Sequence, residues 1–172
     1  MKEILGLMAD YNQTVNKDLF DLLQEQDESL LRASADSFFG NILGLLNHIL
    51  VSDLGWLTAY RESNLDLPVL ESTALDFEHP GFGRDLYDDL GELRAHRQAI
   101  DQLFIDLVGS TAESVFQGEI EVSRKEVTHT FPFGKVLMHL FNHQTHHRGA
   151  ISQILDENNV KNDYSNLLRL LV

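Results

Sequence analysis

Four of the eight histidines of this chain lie in one stretch, Val136-Leu-Met-His-Leu-Phe-Asn-His-Gln-Thr-His-His-Arg-Gly-Ala-Ile151. Around this stretch, mostly apolar positions recur in alternating steps of three and four residues. This spacing predicts a long helix with one face turned into the core. The face consists of Phe133, Val136, Leu140, His143, His147, Ala150 and Ile154. Two histidines therefore occupy positions where the helical period calls for buried residues.

His143 and His147 are one helical turn apart on this face. At about 100° per residue their directions differ by about 40°, so both rings can converge on one point. The pattern is typical of a helix that offers two nitrogens to a metal, and a third ligand must then come from another element. The alternative is a pair of core histidines bonded to carbonyl groups. His139 and His146 lie beside the face, as outer neighbours of the site, dimer contacts or solvated side chains. His139 is an alternative ligand, because it also stands four residues from His143.

Length and composition predict a single domain over residues 1–172 with a sizeable core. The chain is 43% hydrophobic, contains no cysteine and has a formal charge of −14. A metal site must therefore use nitrogen and oxygen ligands, and any reacting thiol must come from outside. The charge disfavours binding to nucleic acid or anionic lipid. Because Asp10 interrupts the N-terminal apolar run and no stretch approaches transmembrane length, we expect a cytoplasmic protein.

Helical periodicity predicts three further helices. Their apolar faces are Ile4, Met8, Tyr11, Val15, Leu19 and Leu22, fading through residues 24–28; Phe38, Ile42, Leu45, Ile49, Trp56 and Tyr60; and Leu86, Leu90, Leu93, Ile100, Phe104 and Leu107. Prolines and glycines mark residues 62–84 as a loop, either a lid or a plain crossover. Alternation in 118–122 and 127–131, about a polar turn, predicts a hairpin. The histidine helix begins near Phe133 and ends at Asn158-Asn159, before a short terminal helix at 165–170.

Two charged residues interrupt the apolar faces, Asp53 on the second helix and Arg97 on the third. A buried carboxylate needs a partner, so we predict that the two pair across the core. The alternative is that Arg97 faces a pocket and holds an anionic group of a substrate.

A second face of the second helix is built mainly of small residues: Asn41, Gly44, His48, Ser52, Gly55 and Ala59. Small side chains let helices approach closely or leave a hollow. His48 is the one large ring in this row, and it would complete three nitrogens if the facing element is the histidine helix. The alternative is a close helix contact in which His48 bonds a carbonyl group.

The segments Leu46-Asn-His-Ile-Leu-Val-Ser-Asp-Leu-Gly-Trp56 and Asn142-His-Gln-Thr-His-His-Arg-Gly149, with Tyr11-Asn12, resemble the DinB/YfiT-like family over nearly the whole chain. The resemblance implies an all-α fold, a four-helix bundle with a small β-hairpin before the last long helix, commonly as a homodimer. The family motif maps onto His48, Asp53, Trp56, His143, His147, Arg148 and Gly149. Ala150 departs from the pattern, because many relatives have glutamine there.

The resemblance implies that His48, His143 and His147 bind a divalent metal, with zinc or nickel as first choices and manganese or iron as alternatives. A thiol or water bound to such a metal is acidified. Relatives include S-transferases and isomerases that use bacillithiol or mycothiol. We therefore expect transfer of a low-molecular-weight thiol to an electrophilic small molecule.

No catalytic residue is assigned, and the candidates are Arg97, Arg148 and Asp53. Either arginine could make the local field positive for an anionic thiol. The small-residue row would give the pocket its space, with Trp56 and the 62–84 loop as its cover.

Two other functions stay open. Metal-bound hydroxide would make the protein a hydrolase, although without a His-Glu-x-x-His motif it is no metalloprotease of that type. A closed fourth metal position would instead favour a non-catalytic metal-binding or stress-response protein. The damage-inducible expression behind the family name describes regulation and does not establish DNA chemistry.

Overall fold

The computed structural model describes residues 1–35, 38–81, 84–124 and 126–171. The helices are α1 Lys2–Gln24, α2 Glu28–Arg32, α3 Ile42–Arg61, α4 Leu90–Ser110, α5 Glu113–Phe116 and α6 Phe133–Glu157. Strands β1, Glu119–Arg124, and β2, Val127–Pro132, form an antiparallel hairpin directly before α6. The protein is thus mainly helical with a small hairpin before the last long helix, as predicted.

Side-chain caps set where two long helices begin. Asn41 accepts a hydrogen bond from the Gly44 amide at 2.8 Å, and Asp89 accepts one from the Glu92 amide at 2.8 Å. These bonds satisfy amide groups that have no partner inside the helix. The predicted helices that included Phe38 and Leu86 were therefore wrong at their first residues. Phe38 lies before α3 and is 79% exposed.

The connecting segments are more ordered than a plain loop. Between α3 and α4, two 3₁₀ helices, Pro68–Leu70 and Thr73–Leu75, bury Leu70 and Leu75 in the core. Residues 82 and 83 of the predicted loop and residue 125 of the predicted hairpin turn lie outside the described residues. The predicted terminal helix is a single 3₁₀ helix, Leu167–Leu170.

Packing of the long helices places α3 against α6. Helix α1 contacts α4 and α6, and α3 contacts the same two helices. Their apolar faces meet in one core that includes Leu19, Leu45, Leu54, Phe104 and Leu140. The contact between α3 and α6 is the juxtaposition on which a third histidine ligand depends.

Helix α3 corrects the expectation that no stretch of the chain approaches transmembrane length. By length and composition it could cross a membrane, with a mean hydropathy of 1.4 over its most apolar window. Of that window, 61% is buried inside the fold. The apolar character of α3 thus matches its place in the protein core, where it is covered on several sides by other elements.

Candidate metal centre

Three histidine nitrogens converge between α3 and α6. The Nε2 atom of His143 lies 3.1 Å from Nε2 of His48 and 3.1 Å from Nε2 of His147. Potential ligand atoms of the three residues all lie within 4.8 Å of one another. Two nitrogens bound to one tetrahedral zinc at about 2.0–2.1 Å stand about 3.3 Å apart, close to the observed separations.

The hydrogen-bonding capacity of imidazole explains why a cation fits here. Each Nε2 atom carries either one hydrogen or one lone pair, so the central His143 cannot donate to one neighbour and accept from the other through that atom. A metal ion would accept all three lone pairs at once. Within the described residues, the hydrogen bonds of these rings run to one another and not to carbonyl groups. The alternative of carbonyl-bonded core histidines is therefore not what the structure shows.

An aromatic residue before α3 covers the cluster. The Phe39 ring stacks on His48 with centroids 3.9 Å apart and an interplanar angle of 22°. The Phe39 and His147 rings are nearly perpendicular, with centroids 5.4 Å apart. Phe39 therefore shields one side of the cluster from water and restrains the His48 ring. Helical periodicity does not predict this role, because Phe39 precedes the helix.

Burial keeps the three imidazoles neutral. It lowers the pKa of His48. Burial, together with repulsion from neighbouring histidines, lowers the pKa of His143 and of His147 to about 4. At neutral pH all three rings are in the form that ligates metals.

The two remaining histidines of α6 lie outside the cluster, as their helical phase predicted. His146 is exposed, with its ring 4.8 Å from that of His147. His139 is exposed and packs near Trp56, with ring centroids 6.3 Å apart. His139 does not belong to the group of converging ligand atoms found among the described residues.

A cavity of about 460 Å³ opens beside His48. Gly44, Ser52 and Gly55, three members of the small-residue row, line it as predicted. The segment before α4 contributes His79, Gly81, Arg84 and Asp85 to the lining. Trp56, which we expected to cover the pocket, lies outside its lining and instead packs near Phe131 of the hairpin.

Behind the histidines, the predicted pair between Asp53 and Arg97 is confirmed. Arg97 Nη1 lies 2.5 Å from Asp53 Oδ2, and Arg97 Nη2 lies 2.9 Å from Asp101 Oδ1, with all three side chains buried. Burial raises the pKa of Asp53 to about 6, although the charge of Arg97 opposes this shift. The four-residue spacing of Arg97 and Asp101 on α4 was a signal that could have revealed this second pair.

Helix α6 contributes Gln144 and Arg148 to the same network. Gln144 donates to Asp53 Oδ2 at 2.9 Å and accepts from Asn16 at 3.0 Å and from Arg148 at 3.2 Å. Asn16 also donates to Asp101 at 3.0 Å. Gln144 follows His143 and Arg148 follows His147, so α6 presents the two histidines on one face and these fixed polar groups on the neighbouring face, about 100° round the helix.

The three candidate catalytic residues all belong to this network. Arg97, Arg148 and Asp53 are almost fully buried, and none of them lines the cavity beside His48. The structure therefore places the predicted metal ligands together and the catalytic candidates behind them. Gln144, Asn16 and Asp101, which the sequence reading did not single out, complete the network.

Comparison with known proteins agrees with the motif. The model of the DinB family matches residues 1–164, which include the three histidines and every residue of the network. The chain is 24% identical over 155 residues to Protein DinB of Bacillus subtilis (strain 168), covering 90% of this chain and 86% of that protein. The resemblance read from the histidine motifs is therefore confirmed: this chain belongs to the DinB family.

Proposed function

We propose that His48, His143 and His147 bind one divalent metal ion and that the protein uses it to transfer a low-molecular-weight thiol to an electrophilic small molecule. The convergence of three neutral Nε2 atoms beside a cavity of about 460 Å³ carries this proposal. Nitrogen-only ligation suits zinc or nickel, with manganese and iron as alternatives.

In the proposed reaction the metal and the side chains have different roles. Bound metal would supply a Lewis acid that lowers the pKa of a thiol or water. The chain itself has no cysteine, so the thiol is a second substrate. Phe39 keeps water from one side of the histidines, and the small residues of α3 leave room for substrate.

Hydrolysis is the second candidate because one carboxylate lines the cavity. Desolvation raises the pKa of Asp85, and the charge of Asp88 acts in the same direction. A carboxylate with a raised pKa beside a metal site is suited to accept a proton from an attacking water. Hydrolysis needs no added thiol, whereas thiol transfer does, and this difference separates the two reactions.

Further proposals concern the whole protein. A four-helix bundle is supported by the contacts of α1 and α3 with both α4 and α6. The single core supports one domain. From the family resemblance we also propose a homodimer in the cytoplasm. The charge of −14 leads us to propose that it has no nucleic-acid or membrane partner.

The first test is metal content by plasma mass spectrometry on reconstituted, untagged protein. We expect about one metal per chain in the wild type, loss of most of it in His48→Ala and His143→Ala, and retention in the matched variant His146→Ala. Full occupancy in both ligand variants would refute the site.

The second test is conjugation of monochlorobimane by the metal-loaded protein, with and without an added thiol. Thiol-dependent turnover above the uncatalysed rate supports transfer. Hydrolysis of a nitrophenyl ester at the same rate without thiol, and no conjugation, would favour the hydrolase.

A further inference from the structure

Arg84 is a cationic residue in the lining of the cavity beside His48. Its side chain is exposed, and within residues 1–35, 38–81, 84–124 and 126–171 it makes no ion pair. The adjacent carboxylate, Asp85, is attracted by the charge of Arg32 and repelled by that of Asp88. The charge of Arg84 is therefore available to a ligand in the cavity.

A buried asparagine fixes the backbone that carries Arg84. Asn47 Oδ1 accepts hydrogen bonds from the amides of Leu86 at 2.8 Å and Tyr87 at 2.9 Å. Asn47 Nδ2 donates to the Tyr87 carbonyl at 2.9 Å. Because Asn47 precedes His48 on α3, the same helical turn holds a proposed metal ligand and the segment two residues beyond Arg84. These hydrogen bonds hold the backbone two and three residues after Arg84 against the helical turn that carries His48.

The charge distribution selects the ligand class. With a net charge of −14, the protein as a whole repels anions. Arg97 is paired with carboxylates and Arg148 is enclosed in the network, so neither reaches this cavity. Arg84 is the arginine in its lining, and guanidinium binds carboxylates through two parallel hydrogen bonds.

We propose that the thiol substrate carries a carboxylate, which Arg84 binds while the sulfur occupies the histidine site. Phe39 and Val51, which also line the cavity, contact the carbon chain of the substrate. This inference rests on the proposed function and names the substrate class of the same site. Arg84 is accordingly a specificity-determining residue, and it leaves the chemistry at the metal unchanged.

The test compares two thiols of equal size, 3-mercaptopropionate and 3-mercaptopropionamide, on the cobalt(II)-loaded protein. Binding is followed by the sulfur-to-cobalt charge-transfer absorption. We expect the wild type to bind the carboxylate about tenfold or more tightly than the amide, as charge-assisted hydrogen bonds allow. Arg84→Gln should lose this preference and Arg84→Lys should retain part of it.

Arg169→Gln is the matched control, because it makes the same charge change at a residue that does not line the cavity. It should keep the wild-type preference. Equal binding of both thiols by the wild type, or a preference that persists in Arg84→Gln, overturns the role of Arg84 and leaves thiol transfer intact if monochlorobimane is still conjugated. If the cobalt-loaded wild type binds neither thiol, both thiol transfer and this inference are overturned.

Discussion

Arg97→Met is the sharpest test of the buried network. The substitution keeps the length of the side chain but removes the charge that lies 2.5 Å from Asp53 and 2.9 Å from Asp101. Both carboxylates then stay in the core with only neutral donors, Gln144 and Asn16. Removing one partner of a buried ion pair costs about 3–5 kcal/mol, a large part of the roughly 5–15 kcal/mol that stabilises a domain.

Urea unfolding of the metal-free protein, followed by circular dichroism, measures this loss. With a slope of about 2 kcal/mol per molar urea, the midpoint should fall by about 2 M. Arg94→Met is the matched control on the same helix, because Arg94 pairs with the partly exposed Asp21 and should lose only about 0–1 kcal/mol.

The effect of pH gives a second readout of the same variant. Burial already raises the pKa of Asp53 to about 6, above its value in the unfolded chain, and loss of Arg97 raises it further. The folded Arg97→Met variant therefore keeps this proton to a higher pH than the folded wild type does, and the extra proton binding offsets part of the penalty as the pH falls. We expect a smaller loss at about pH 5 than at about pH 8. A loss no larger than that of Arg94→Met, or one equal at both pH values, contradicts a buried charge network.

Three further outcomes follow from the site and its supports. Because the pKa of His143 is about 4 in the fold and about 6.5 when unfolded, the free energy of unfolding of the metal-free protein should fall as pH drops through about 6.5, and urea titrations should show a smaller fall in His143→Ala. Asn47→Ala should lose about 1–3 kcal/mol and expose the 62–89 segment to limited proteolysis, whereas Asn64→Ala, which removes one exposed bond, should behave like the wild type. Gln144→Leu should lower the thermal midpoint more than the exposed change Gln153→Leu, and equal midpoints would argue against its bridging role.

The histidine pair on α6 was predictable because helical phase is a local property. The i, i+4 spacing and the apolar neighbours of His143 and His147 fix their common face, and the same phase places His146 outside it. His48 was a weaker prediction, since a row of small residues indicates close approach but not the identity of the facing helix. The helix starts were misjudged at Phe38 and Leu86, where capping by Asn41 and Asp89 overrides the apolar pattern.

The sequence by itself determined the helices, the hairpin and the absence of cysteine ligands, because periodicity and composition act over a few neighbouring residues. It also indicated that Asp53 and Arg97 need partners, since buried charges do. Only the tertiary structure decided that α3 lies against α6, which brings three Nε2 atoms together. Likewise, only the packing decided that Arg84 lines the cavity and that Arg97 and Arg148 lie in the buried network outside its lining. Contacts between distant segments depend on how all four long helices share one core, and no local pattern encodes that arrangement.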